Sequence, residues 1–403
     1  MTLSTHESCG KGIAMIKTFD LARGVINSGA GALMELPSEM DKLKAQRAIV
    51  ITDKNIAALE GFKKAVENIR NSGKEVFIYD EVEPNPTDTD CDRTAAFMKE
   101  VEPDVIIAFG GGSPMDCAKA ADAVYTMGVP TVECGVAAGG MQKIPPTTLP
   151  IIAVPTTAGT GSEVNDLGVI IDTKKHVKFP VKSVNLLPKL IILDPLITVG
   201  LPKSVTAATG IDALTHSIEA YVSLSDFYIG DGVALHAMRM IVENLPKAYE
   251  NGEDLEAREN MLMASLCAGF AFSFNGLGLC HQMAHQLSSY FNAPHGVANA
   301  LLLPHVMRFN MRARPERFAD VAKALGCDIS GLDAKAAAIK GAEKVEALCR
   351  QLGIPQYLDD IGVDKAMVPT LAESAMLDLT GRNNPVKTTL EECIALYHEC
   401  FRP

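Results

Sequence analysis

Through residue 198 the chain alternates short runs rich in β-branched residues with longer stretches of helical periodicity, and beyond about residue 200 the strands stop. Such alternation is the signature of βαβ units, in which each strand returns to a parallel neighbour through a helix. Readable strands are AIVITD (48–53), EVFIYD (75–80), DVIIAFGG (104–111), IIAVPTT (151–157) and LIILD (190–194). Between them NIAALEGFKKAVENIRNSG has helical spacing and ends on Gly73, and DTDCDRTAAFMKEV reads as a helix with Asp88 as its N-cap. After the change, SVTAATGIDALTHSIEAYV, VALHAMRMIVENLPKAYE, ENMLMASLCAGFAF and AKAAAIKGAEKVEALCRQLG all read as helices. Gly200 and Pro202 in LITVGLPKSV mark the join. The expected architecture is therefore a Rossmann-like parallel-sheet α/β domain over residues 1–198, an all-helical domain over 199–403, and a cleft between them.

A chain of 403 residues is long for a single core, which agrees with two domains. Its net charge of −12 argues against nucleic acid and anionic membrane surfaces as partners. No stretch has the uninterrupted apolar length of a membrane span, and the opening MTLSTHESCGKGIAM lacks the apolar core of a signal peptide. Ten cysteines are scattered without CxxC spacing, which suits reduced thiols and a cytoplasmic location. Cys280, beside His281, reads as a small buried hydrophobe, because helical neighbours point about 100° apart.

In FGGGSPMDCAKAADAVYTM a strand gives way to a helix through Gly110, Gly111 and Gly112, with Ser113 as a candidate cap and Pro114 in the first turn. Exposed N–H groups and the helix dipole there favour an anion, most simply a pyrophosphate. The run lacks the third glycine of GxGxxG and the GK[ST] of a P-loop, so a plain strand-to-helix turn stays open as a reading. AVPTTAGTGSEVN supplies a second glycine-rich turn, carrying the hydroxyls of Thr156, Thr157, Thr160 and Ser162. Asp53 closes AIVITD, where a carboxylate binds a ribose 2′-OH and repels a 2′-phosphate, favouring NAD over NADP; an ordinary N-cap is the competing reading.

Metal-ligand side chains converge in the second half. Asp212 and His216 are four apart, as are His281 and His285, the spacing that stacks two side chains on one helix face. Three of the nine histidines (His281, His285, His295) fall within fifteen residues. His295 lies between Pro294 and Gly296, where a loop can turn it back toward the preceding helix. Imidazole and carboxylate suit zinc, iron(II) and similar cations and poorly suit magnesium or calcium. Any one of these histidines is more often a satisfied core residue; the joint pattern is what points to a metal. His176, His236, His305 and His398 lack such company.

The set GGGSPMDCAK, PTTAGTGSE, ATGIDALTHSIEAY, GLCHQMAHQL and PHGVANALLLPH resembles the iron-containing (group III) alcohol dehydrogenases over roughly residues 18–400. It is most similar to the branch with 1,3-propanediol dehydrogenase and lactaldehyde reductase. The resemblance implies that Asp212, His216, His281 and His295 hold one divalent metal, iron(II) first, with zinc, cobalt or nickel as other candidates. It makes His285 a cleft residue near the nicotinamide. Contacts to NAD are implied for Asp53, Asn85, Gly111, Gly112, Ser113, Asp116, Thr156, Thr157, Thr160, Asn165, Leu167, Lys178, Ile197 and Gly200. The chain departs from the family at Asn165 and Leu167, at Asn27 and Ser28 in VINSGAGAL, and at Val386 in Asn384-Pro385-Val386. A homodimer or larger homo-oligomer is also implied.

The activity so implied is reversible oxidation of a short primary alcohol or diol to its aldehyde with NAD. His285 is the candidate proton relay, an imidazole being the side chain that ordinarily titrates near neutral pH, with packing against the cofactor as its alternative role. Phe272 is a candidate pocket wall, with core filling as the plainer reading. A glycerol dehydrogenase-like or dehydroquinate synthase-like enzyme is the rival. Residues 276–304 contain no Lys or Arg, which counts against a phosphorylated or carboxylated substrate. A non-catalytic scaffold would be expected to have lost part of the metal set, which is intact.

Overall fold

The computed structural model describes residues 24–175 and 177–403; the opening segment read for a signal peptide and His176 lie outside the described residues. Strands β1 (Val25–Ser28), β2 (Arg47–Ile51), β3 (Glu75–Tyr79), β4 (Val105–Gly110), β5 (Ile151–Pro155) and β8 (Leu190–Leu193) form one sheet in the order β1-β8-β5-β4-β2-β3. Every pairing in it is parallel. Strands β4 and β5 are buried along their whole length, so they read as unbroken apolar runs, as strands covered on both faces must.

From β2 the chain moves outward to β3, then returns to place β4 on the other side of β2. That reversal opens a crevice beyond the carboxyl ends of β2 and β4, the position where open α/β sheets bind ligands. Asp53 follows β2 and Gly110–Gly112 end β4, so both lie at this point.

Three strands escaped the sequence reading. β1 is a four-residue, largely exposed edge strand. The antiparallel hairpin of β6 (Leu167–Asp172) and β7 (Val177–Lys182) contains Pro180, a residue that argues against a strand interior unless the strand has a free edge. Two helix starts also differ from expectation. The helix Asp88–Val101 is capped by Thr87, whose side chain bonds the Asp90 N–H in a capping box, so Asp88 is its first residue rather than its cap. The helix Gly112–Met127 takes Gly111 as its N-cap, which puts Ser113 inside the first turn.

After β8 the described chain is helical, with Lys203–Val222, Tyr228–Glu250, Leu255–Asn275, Leu279–Phe291 and His295–Asn310 packed around one apolar core. The two halves also share apolar contacts: Leu262 and Leu266 of Leu255–Asn275 belong to the cluster under the sheet with Ile106 and Ala153. Among the described residues no single helix is long and apolar enough to cross a membrane.

Candidate active site

The helix Lys203–Val222 is buried along most of its length, and Asp212 and His216 project from one face of it at 2% and 4% exposure. His281 projects toward them from Leu279–Phe291, and one ligand atom from each of Asp212, His216 and His281 lies within 4.8 Å of the others. His295 is not in a loop, as the flanking Pro294 and Gly296 suggested, but is the first residue of the helix His295–Asn310. Gly296 lets that helix start close in, since a Cβ there would meet the Ala208 carbonyl at 2.1 Å. The Nε2 atoms of His281 and His295 each lie 3.7 Å from Asp212 Oδ1.

The far nitrogen of each ring decides what the near one can do. His216 Nδ1 donates to the Gly159 carbonyl at 3.2 Å, and His281 Nδ1 donates to Glu219 Oε2 at 2.6 Å. A proton fixed on Nδ1 makes Nε2 the nitrogen that can face a metal, which for neutral His216 is already a lone pair. Among the described residues His295 Nδ1 is buried without a hydrogen-bond partner, a polar atom they leave unsatisfied. Burial drives the His216 pKa down to about 4 and the His295 pKa well below its usual value, so both rings are neutral. Burial would raise Asp212, but the three imidazoles outweigh it and hold the carboxyl below the usual range. For His281 burial is outweighed by its bonds to Asp212 and Glu219, which raise it to about 9, so without a metal the ring also carries a proton on Nε2, the position a cation would take in its place. One carboxylate and three imidazoles, enclosed except for the partly exposed His295 ring, fit a borderline divalent cation.

Asn299 lies one turn after His295, and its Nδ2 is 2.7 Å from Asp212 Oδ1 and 3.2 Å from both His281 Nε2 and His295 Nε2. His285 stands one turn beyond His281 and points elsewhere: its Nδ1 donates to Asp378 Oδ2 at 2.7 Å, while its ring stacks on His295 at 5.5 Å. Burial lowers its pKa despite Asp378, so the ring is more firmly neutral than the ordinary value suggests. Phe272 closes another side, its ring 4.7 Å from that of His216.

On the nucleotide side, the two glycine-rich turns pack edge to edge. A Cβ on Gly111 would lie 3.2 Å from Thr157 Oγ1, and one on Gly112 would lie 3.0 Å from Thr160 Cγ2. The hydroxyls of Thr156 and Thr157 are buried with no partner among the described residues, the state expected of groups that bind ligand oxygens. Ser113 Oγ accepts from the Asn85 N–H at 3.2 Å. Asn85, at φ 54, also receives Lys178 Nζ at 3.3 Å and donates to Asn292 Oδ1 at 3.2 Å across the cleft. Burial lowers the Lys178 pKa to about 8. Asp53 caps the helix Lys54–Ala57, accepting from Asn55 and Ile56 through Oδ1 alone. Ile197 is buried at this edge, and a Cβ on Gly200 would meet nothing within 4 Å.

Asp116, Asn165 and Leu167 sit in a different setting from the other implied contacts. Asp116 accepts from Ser162 Oγ and the Val169 N–H, and Asn165 accepts from Leu167 N–H while donating to the Gly161 carbonyl. At the centre is Lys119, 1% exposed, which donates to Ser162 O and Oγ, Asn165 Oδ1 and Leu167 O at 2.6–2.9 Å. These groups spend their polar atoms shaping the second turn. Lys119, Glu219, Asn299 and Asp378 were all missed from sequence. The first three carried a helical-spacing signal: Lys119 is three after Asp116, Glu219 three after His216, and Asn299 four after His295. Asp378 carried none.

Known proteins resemble this chain over most of its length. The profile described as "Iron-containing alcohol dehydrogenase" matches residues 24–195, and "Fe-containing alcohol dehydrogenase family, C-terminal" matches residues 206–401. The chain is 41% identical over 377 residues to 1,3-propanediol dehydrogenase of Klebsiella pneumoniae, covering 93% of this chain and 96% of that one. It is 37% identical over 373 residues to lactaldehyde reductase of Escherichia coli (strain K12), covering 93% and 97%. A crystal structure of 1,3-propanediol oxidoreductase superposes with a TM-score of 0.91 at 40% identity, covering 96% of this chain and 100% of that one.

Proposed function

This chain belongs to the iron-containing alcohol dehydrogenase family, and from that premise we propose a function for its site: the reversible, NAD-dependent interconversion of a short primary alcohol or diol and its aldehyde. The observation that carries the reading is the bond from His216 Nδ1 to the Gly159 carbonyl, which fastens the metal-type cluster directly to the nucleotide-type turn. Redox transfer needs both partners held against one substrate, and this bond supplies the fixed distance.

In this reading Asp212, His216, His281 and His295 hold one divalent cation, iron(II) being the first candidate. When bound, the cation would withdraw electron density from the alcohol or carbonyl oxygen, and NAD would take up or return the hydride. Residues of the chain do the rest. Gly111, Gly112, Ser113, Thr156, Thr157 and Thr160 receive the pyrophosphate region, and Asp53 meets the ribose. Asn85, Lys178, Ile197 and Gly200 line the rest of the cofactor groove, with Asp116, Asn165 and Leu167 holding its shape. Asp378 keeps the His285 proton on Nδ1, so Nε2 is the atom that takes up or releases the substrate proton. Phe272 sets one wall of the alcohol pocket and excludes water beside His216.

We read residues 1–198 as the nucleotide domain and 199–403 as the metal and substrate domain. A homo-oligomer in the cytoplasm completes the proposal; the nine described cysteines, all unpaired, support a reducing location. The test is an NADH-absorbance screen of short alcohols, diols and aldehydes, on metal-stripped protein reconstituted anaerobically with iron(II), zinc, cobalt or nickel. Turnover of a short alcohol or diol with one of these metals is expected. Failure of every alcohol, diol and aldehyde with every metal would overturn the reading.

A further inference from the structure

Glu219 lies on the same helix as Asp212 and His216, seven and three residues on, and the steps above give it no part. Its carboxylate is 3% exposed, and among the described residues its ion-pair partner is His281, with no lysine or arginine in reach. Both oxygens are used at short range. Oε2 accepts from His281 Nδ1 at 2.6 Å and Oε1 accepts from the Cys280 N–H at 2.6 Å. Gly278 makes that approach possible, since a Cβ there would stand 2.9 Å from Oε1.

We propose that Glu219 is a positioning residue of the metal centre, which locks the His281 ring with its proton on Nδ1 and supplies the negative charge that Asp212 alone leaves wanting. The proposal rests on the reading of His281 as a ligand. An imidazole has one donor site and one lone pair when neutral, so fixing the proton on Nδ1 commits Nε2 to the cation. The charge count points the same way. Three neutral imidazoles and Asp212 offer one negative charge to a divalent ion, and a buried site with net charge is costly. Glu219, passing its charge through His281, brings the cation and its largely buried set to neutrality.

A plainer role competes: Glu219 simply caps the helix Leu279–Phe291 through the Cys280 N–H. The structure contains the control for it. Asn384 Oδ1 accepts from the Leu279 N–H in the same turn at 3.1 Å, and its other described side-chain bonds go to Asn310 and Val386, away from the histidines. Loosening that turn through Asn384 tests capping without touching the His281 ring.

The experiment exchanges the purified holoprotein to cobalt(II) and measures the dissociation constant by chelator competition. It also records the visible d–d spectrum and the melting temperature with and without metal. Glu219→Gln keeps the shape but loses the charge and one acceptor; it is expected to weaken cobalt binding about 10- to 100-fold and to shift the d–d bands. Glu219→Asp, which retains the charge, is expected to recover part of that loss. Asn384→Ala is expected to lower the melting temperature in both states while holding cobalt affinity within about two-fold. The proposal is overturned if Glu219→Gln binds cobalt as wild type does, or if Asn384→Ala weakens it equally. His281→Ala separates the two layers: lost affinity there with normal affinity in Glu219→Gln sinks the role of Glu219 alone. Retained affinity in His281→Ala sinks the ligand reading together with it.

Discussion

His281 and His285 share a helix face one turn apart, yet each hands its Nδ1 proton to a different carboxylate, Glu219 for one and Asp378 for the other. That difference in partner separates a residue aimed at Asp212 from one aimed at the open cleft. His281→Ala is therefore expected to lose bound metal by elemental analysis. His285→Ala should retain the metal and lose turnover by about 10²- to 10⁴-fold, the usual contribution of one proton-transfer group. A second residue-scale prediction concerns Asp122, whose Oδ2 is buried without a partner among the described residues and whose pKa burial pushes up to about 7. Folded Asp122 keeps its proton between about pH 4 and 7 while the unfolded chain loses it, so stability falls as pH rises through that window. Asp122→Asn is expected to remove the slope and to raise stability at pH 8 by about 1–3 kcal/mol, with little change near pH 4. Thermal melts across pH check both arms.

Among the elements, the turn over residues 156–165 depends most on its surroundings. Gly161, at φ 60, lies against Gly269 of the helix Leu255–Asn275, and a Cβ on Gly269 would stand 2.9 Å from the Gly161 Cα and 2.5 Å from Val164 Cγ2. One added methyl would push the turn off the helix, a type of overpacking that costs about 1–3 kcal/mol. Gly269→Ala is thus expected to weaken NADH binding, read by fluorescence titration, more than it lowers metal content, since the turn reaches the cluster through the His216–Gly159 bond alone among the described hydrogen bonds. Equal losses of metal and NADH would contradict this separation. From the far side, Lys119 holds the same turn with three short bonds and the start of β6 with a fourth. The strands behind the turn were legible because buried parallel strands must be apolar throughout. Edge strand β1 and the β6–β7 hairpin were not, because exposed edges and Pro180 weaken the same signal.

Across the whole molecule, the proposed function would set the cation and the nucleotide against two parts of one cleft that the His216–Gly159 bond joins. Ligands that favour the same arrangement of two walls raise each other's affinity by equal factors. Metal-free protein is accordingly expected to bind NADH several-fold more weakly, and NADH to tighten cobalt binding by the same ratio within error. Titrations in both orders check this, and unequal ratios or no coupling would disprove it. Chelation should also lower the melting temperature, since a ligand at about 100 times its Kd stabilises by about 2.7 kcal/mol.

The sequence by itself determined the alternating α/β half, the helical half, the two glycine-rich turns and the residues of the metal-type cluster. These are written in local periodicity and spacing, which need only the geometry of a helix or strand to read. It left His281 and His285 equivalent by spacing until the family resemblance parted them. Tertiary structure decided which carboxylate meets which histidine, because Glu219 and Asp378 arrive from elements 62 and 93 residues away in the chain. It also decided that Asn85 would face Asn292 across the cleft, a contact spanning 207 residues. Side-chain protonation and charge balance depend on such long-range neighbours, and no local pattern encodes them.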